Sequence, residues 1–120
     1  MDKRVWAVRG AIQIESDQPI FIKEGTVNLF NTLLKENSLN LEDLISIQFT
    51  ITDDLISLNP ATALRADNPQ LEVPLFCMQE PKIEGSFKKM VRIMVYVYHK
   101  NNFKAKHIYL GEAKKLRPDL

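Results

Sequence analysis

The sequence predicts a mixed sheet with its helices on one face, an α+β or α/β sandwich. Three observations lead there. Strand and helix patterns alternate early in the chain and strands become consecutive later; Pro19 to Asn37 carries apolar residues at helical spacing; and Lys89 to His99 alternates with a period of two. At 120 residues the chain is about one domain's worth, with no repeat, low-complexity tract or interdomain linker to divide it.

Val5 to Ile14 alternates imperfectly and runs into Glu-Ser-Asp-Gln-Pro, the pattern of a first strand closed by a turn, with Arg9 and Gly10 as interruptions. Asp17 precedes Pro19, whose fixed φ and missing N–H suit a first helical turn. Val27, Phe30, Leu33 and Leu34 then recur at helical spacing, so a helix is expected from about Pro19 to Asn37. Gly25 inside it costs on the order of 1 kcal/mol relative to alanine. Leu44 to Thr52, rich in Ile, Leu, Phe and Thr, reads as a strand that Asp53 and Asp54 end. Asn59 before Pro60 puts a capping side chain ahead of a first-turn proline and predicts a short helix over Ala61 to Ala66.

Leu71 to Cys77 is the next expected strand, and because Pro74 cannot donate a ladder hydrogen bond this strand belongs at an edge or bulge. In Lys89 to His99, Val91, Ile93, Val95 and Val97 share one face, and Arg92, Met94, Tyr96 and Tyr98 the other. After the Asn101-Asn102 turn, Ala105 to Leu110 can form a last short strand, and the Arg117-Pro118-Asp119 end is irregular.

Sixteen Lys and Arg against 15 Asp and Glu, a net charge of +1, give no excess of cations for a nucleic-acid backbone. The single cysteine, Cys77, excludes an intrachain disulfide and suits a reducing cytoplasm. Uncharged stretches reach only 10 residues, at Gly25–Leu34 and Leu55–Leu64, whereas a membrane span needs roughly 18 or more apolar positions. No membrane partner and no targeting segment are expected.

The chain carries no Cys-x-x-Cys or His-Glu-x-x-His, and its four glycines are too scattered for a phosphate cradle, so neither zinc nor a nucleotide is expected. A nucleophile pair of Cys77 with a histidine is possible on paper, but a strand cysteine is usually a small hydrophobe. What folding alone does not explain is a set of polar residues: Arg9 in the first strand, Arg65 beside the short helix, Glu80 past a strand, and Arg92 in the middle of one. A guanidinium on an apolar ladder must find a carboxylate or line a cavity. An internal Arg92–Glu80 ion pair and an anion-binding site are equally good readings of that spacing.

Linked motifs decide between them. Val8-Arg9-Gly10-Ala11, Pro60-Ala61 with Arg65, Cys77-Met78-Gln79-Glu80, Arg92, His107-Ile108-Tyr109-Leu110 and Leu116-Arg117-Pro118-Asp119 stand in an order and spacing that resembles the AroH-type, monofunctional chorismate mutases over nearly the whole chain. The resemblance implies a single domain of chorismate-mutase-like α+β fold over residues 1–120, with 113–120 a lid or tail. It further implies a homotrimeric pseudo-barrel with active sites between subunits. The implied reaction is the Claisen rearrangement of chorismate to prephenate, in aromatic amino acid synthesis, with no cofactor.

Carried across by position, the resemblance implies that Arg92 donates to the ether oxygen, Glu80 accepts the ring hydroxyl, and Arg9 with Tyr109 holds the side-chain carboxylate. The adjacent subunit would bring Arg65 and Cys77, with Ala61, Val73, Leu75 and Phe76 lining that wall, and Leu116 with Arg117 would close over the ligand. Asn59, Thr62 and Phe76 depart from the aromatic, lysine and threonine that the family often carries there, so the expected differences from the family lie in affinity and pocket shape rather than in activity. Two other classes remain open at this point: a non-catalytic module for a small dicarboxylate, and a Rid-type imine or enamine deaminase, from which the Cys-Met-Gln-Glu and Arg-Pro-Asp segments point away.

Overall fold

Period-two alternation in the two longest strands fixes which side of the sheet is covered. The structure, a computed structural model, describes residues 2–116. Its strands are β1 (Lys3–Gln13), β2 (Leu44–Ile51), β3 (Leu75–Gln79), β4 (Met90–Lys100) and β5 (Ile108–Leu110); its helices are α1 (Pro19–Glu36) and α2 (Pro60–Asp67), with short 3₁₀ turns at Leu41–Asp43 and Gly111–Leu116. They form one sheet in the order β3-β2-β4-β1-β5. β4 runs antiparallel to both β1 and β2, while the edge strands β3 and β5 run parallel to their neighbours.

Val8 of β1, Ile47 and Phe49 of β2, and Val91, Ile93, Val95 and Val97 of β4 are buried against Ile22, Leu29, Phe30 and Leu33 of α1 and Leu64 of α2. Both helices therefore cover one face, and burial of these aliphatic and aromatic side chains is the main stabilising term. Among the described residues no α-helix covers the opposite face, where only the 3₁₀ turn at Gly111–Leu116 packs, at the Ala11 and Met90 end. It carries Val5, Ala7 and Arg9 of β1, Gln48 and Thr50 of β2, Phe76 and Met78 of β3, and Arg92, Met94, Tyr96 and Tyr98 of β4.

Gly25 does not interrupt α1. A Cβ there would stand 2.6 Å from Ile14 Cδ1, so the glycine lets the helix lie close against the end of β1. Gln18 takes the N-cap position of α1 without a side-chain bond. The Asp17 carboxylate accepts from the backbone N–H groups of Ile56 and Ser57, both at 3.0 Å. Desolvation opposes its ionisation, but the hydrogen bonds from Ser57 and Ile56 outweigh that and hold the carboxyl below its ordinary range.

The expected strand over Leu71 to Cys77 begins at Leu75 instead. Pro74 offers only its carbonyl, which accepts from Ile47 N–H at 3.0 Å, and the residues before it are held by Arg65 rather than by a ladder. The last strand is likewise shorter than expected, Ile108–Leu110, because the segment before it is tied to α1. Asn37, buried at the C-cap of α1, donates to the carbonyls of Leu33 and Lys106, both at 2.9 Å, and accepts from Lys106 N–H at 2.7 Å. Asn37→Ala should lower the unfolding free energy by about 3 kcal/mol, since it strands both polar groups of Lys106, and a urea titration reads this directly.

Candidate active site

Strand register builds the site. Met78, Thr50, Arg92, Ala11 and Tyr109 are successive partners across β3, β2, β4, β1 and β5, so one row takes a side chain from every strand. The next row holds Phe76, Gln48, Met94 and Arg9. Directly paired residues point to the same face, here the face without helices. Because Ala11 is small, the sheet surface is hollow between Arg92 and Tyr109. The resulting cavity of about 250 Å³ is lined by Arg9, Ala11, Thr50, Met78, Arg92 and Tyr109 among others.

Arg92 Nε lies 3.0 Å from Glu80 Oε2. Its N–H is buried but not aimed at that oxygen, so the contact is electrostatic rather than a directed hydrogen bond. Among the described residues no acceptor is bonded to the terminal guanidinium nitrogens. The same Glu80 oxygen accepts from Thr50 Oγ1 at 2.6 Å, and Glu80 N–H donates to Ile51 O at 2.7 Å. The ion pair expected as one reading of the sequence is thus present, and it leaves most of the guanidinium directed at a cavity.

The start of β4 is pinned just ahead of Arg92. Asp54 accepts Lys89 N–H with both carboxylate oxygens, at 3.1 and 3.0 Å. The Thr52 hydroxyl donates to Asp54 at 2.6 Å and accepts from Met90 N–H at 2.9 Å. Lys89 has φ +54°, a left-handed conformation that a side chain disfavours, and these bonds offset its cost. In the sequence Asp53 and Asp54 read only as the end of a strand; the Thr-x-Asp spacing is the signal that reveals a backbone staple.

Arg9 N–H donates to His107 Nδ1 at 3.2 Å, which extends the β1–β5 pairing by one ring and sets the strand that presents both Arg9 and Tyr109. Tyr109 packs with Ala11, Met90, Phe87, Ala113 and Leu116, so the 3₁₀ turn at Gly111–Leu116 sits beside the cavity. Leu116 is therefore near the pocket, and Arg117 lies outside the described residues.

The second group of expected residues is elsewhere in the same chain. Arg65, with Ala61, Thr62 and Leu75, lines a separate cleft of about 350 Å³. The Arg65 guanidinium donates to Leu71 O at 2.9 Å and Val73 O at 3.1 Å, holding the loop before β3. Asn59 accepts from Ala61 N–H at 2.8 Å and so caps α2. Phe76 is 63% exposed on the open face. Cys77 alternates to the other side, paired in register with buried Phe49 and packed on the core, and burial pushes its thiol above the ordinary range. A protonated, half-buried thiol is a poor nucleophile.

Among the described residues, no group of three His, Cys, Asp or Glu side chains converges as a metal-binding cluster, and no helix is long and apolar enough to cross a membrane. The arrangement offers cationic and hydroxyl donors, Arg9, Arg92 and Tyr109, facing one carboxylate acceptor, Glu80. That set suits a small polyanion carrying a hydroxyl.

The family described as chorismate mutase type I matches residues 5–120 of the chain. The chorismate mutase AroH of Thermus thermophilus is 36% identical over 118 residues, covering 97% of this chain and 96% of that protein. The chorismate mutase AroH of Bacillus subtilis (strain 168) is 34% identical over 114 residues, covering 94% and 90%. The solved structure of a chorismate mutase from Clostridium thermocellum superposes with a TM-score of 0.85 at 35% identity, covering 92% of this chain and 98% of that one.

Proposed function

The chain belongs to the type I chorismate mutase family, and on that premise we propose that the cavity on its open sheet face holds chorismate and is completed by a neighbouring copy of the chain. The enzyme rearranges chorismate to prephenate, as a step of aromatic amino acid biosynthesis. Within one molecule, the ether carbon–oxygen bond breaks while a carbon–carbon bond forms; no atom is lost and no covalent intermediate is needed. The protein has to hold a flexible dicarboxylate in its compact form and to meet the negative charge that gathers on the ether oxygen. About 8 kcal/mol of such help corresponds to roughly a million-fold in rate.

Arg92 donates to the ether oxygen, Glu80 accepts the ring hydroxyl, and Arg9 with Tyr109 grips the side-chain carboxylate. The single observation that carries this assignment is the cross-sheet row that sets Arg92 and Tyr109 either side of Ala11, with Arg9 in the adjoining row. The neighbouring copy contributes Arg65 and the strand around Cys77, with Ala61, Val73, Leu75 and Phe76 forming its wall, and Leu116 flanks the ligand beside Tyr109. Arg65 acts there by its charge and by fixing the Val73 loop. A homotrimer is supported by the uncovered sheet face, where Val5 and its register partner Tyr98 are each 50% exposed and Phe76 and Met78 of β3 are 63% and 44% exposed, apolar surface that a second copy would bury. The cytoplasm is its compartment.

Purified protein should consume chorismate, yield prephenate, and sediment at three times the 13.8 kDa chain mass. Assembled protein that binds prephenate without turnover would contradict the reaction, and a stable monomer with full turnover would contradict the shared pocket.

A further inference from the structure

We propose that Thr50 is a positioning residue for the rearrangement: its hydroxyl fixes one oxygen of Glu80, leaving the other to accept the substrate's hydroxyl and Arg92 free to reach the ether oxygen. This rests on the cavity being the chorismate site.

The Thr50 Oγ1 to Glu80 Oε2 distance of 2.6 Å is that of a short, charge-assisted hydrogen bond. A carboxylate can only accept, so the hydroxyl donates. Arg92 Nε approaches this same oxygen at 3.0 Å, and among the described residues no hydrogen bond reaches Oε1. The two carboxylate oxygens are therefore unequal before any ligand arrives. Glu80 lies one residue beyond the end of β3, where no ladder constrains its side chain. Its backbone is tied to Ile51 O and its side chain to Thr50, so adjacent residues of β2 hold both. Thr50 is well placed to hold it, in the middle of the sheet between Met78 and Arg92, and its β-branched χ1 is stiff.

Loss of the hydroxyl leaves Arg92 as the one side-chain partner of the Glu80 carboxylate among the described residues. A carboxylate and a guanidinium left to each other adopt a bidentate pair, which turns the terminal nitrogens away from the cavity. The charge that should meet the transition state is then engaged in the ground state, so kcat falls, and because Oε1 is drawn toward Arg92 the substrate's hydroxyl loses its best acceptor and KM rises by a much smaller factor.

Thr50→Val keeps shape and strand propensity and removes the donor. Its kcat should fall about 10- to 100-fold with KM within about threefold of wild type, and its melting temperature should not drop. Thr50→Ser should recover most of the lost rate, and Thr50→Ala, with no branched methyl groups to repack, should match Thr50→Val. In a Glu80→Gln background, Thr50→Val should lower kcat by no more than about threefold, because the two act as one unit. Wild-type kcat in Thr50→Val alongside an impaired Glu80→Gln overturns the role of Thr50 and leaves the site reading intact. An undiminished loss in the Glu80→Gln background likewise overturns it, since Thr50 would then act on something else. A wild type inert toward chorismate overturns the site reading itself, and this proposal with it.

Discussion

Arg92→Ala is expected to turn over chorismate about a thousandfold more slowly than wild type, at nearly unchanged stability. The side chain leaves β4 between Val91 and Ile93, which are 0% and 2% exposed, so its backbone is held by the packed core rather than by a loop. The pinned Lys89 and Met90 N–H groups remove residual freedom two and three residues upstream. A donor fixed in this way needs no reorganisation as charge develops, and removing one such group typically costs about 10²- to 10³-fold in rate. A full positive charge on the walls of a small cavity places Arg92 at the upper end of that range. KM should move far less than kcat, because the ether oxygen carries its charge only in the transition state. Arg92→Lys should restore part of the rate, since a point charge replaces a planar fork that can serve Glu80 and the ligand together. Steady-state kinetics beside a melting curve check both variants; a loss under tenfold in Arg92→Ala would refute the role.

Gly10→Ala should be the most damaging small substitution, lowering the unfolding free energy by about 3 kcal/mol and disrupting the carboxylate end of the pocket. Gly10 pairs with Ile93 on one side and Ile108 on the other. A Cβ there would stand 2.4 Å from the Ile108 carbonyl oxygen and 3.2 Å from Leu29 Cδ1. The first clash is with backbone, so no rotamer change relieves it. β5, only three residues long, must move away from β1, and with it go Tyr109 and the Arg9–His107 hydrogen bond. Denaturant unfolding measures the stability loss, and a rise in KM reports the disturbed carboxylate grip; a variant as stable as wild type would show that β1 and β5 are less closely set than their register implies.

Elements whose signal is local are readable from the residues. α1 declares itself through Pro19 and its apolar spacing, α2 through Asn59-Pro60, and β4 through its alternating valines and isoleucine. β3 starts at Leu75 rather than at the expected Leu71 because the forces there are not local: Arg65, from the preceding helix, captures the carbonyls of Leu71 and Val73. Asn37 and the Thr52–Asp54 staple are not legible for the same reason, since their partners lie 69 and 35 residues away in the chain. The site itself depends on register. Nothing in the spacing of Ala11, Thr50, Met78, Arg92 and Tyr109 says that they form one row, and from residue types alone Arg92 with Glu80 could equally be a closed ion pair. The resemblance to a known family groups Arg9, Glu80, Arg92 and Tyr109 but not Thr50, and the register of five strands puts Arg9, Arg92 and Tyr109 beside Thr50 on one face.

A structure of the protein with a bicyclic dicarboxylate ether that mimics the rearranging transition state tests the central claim most directly. The ether oxygen should lie within hydrogen-bond distance of the terminal nitrogens of Arg92, with the hydroxyl on Glu80 Oε1 and a carboxylate between Arg9 and Tyr109. An analogue bound with its ether oxygen away from Arg92, or seated only in the Arg65 cleft of a single chain, would contradict it.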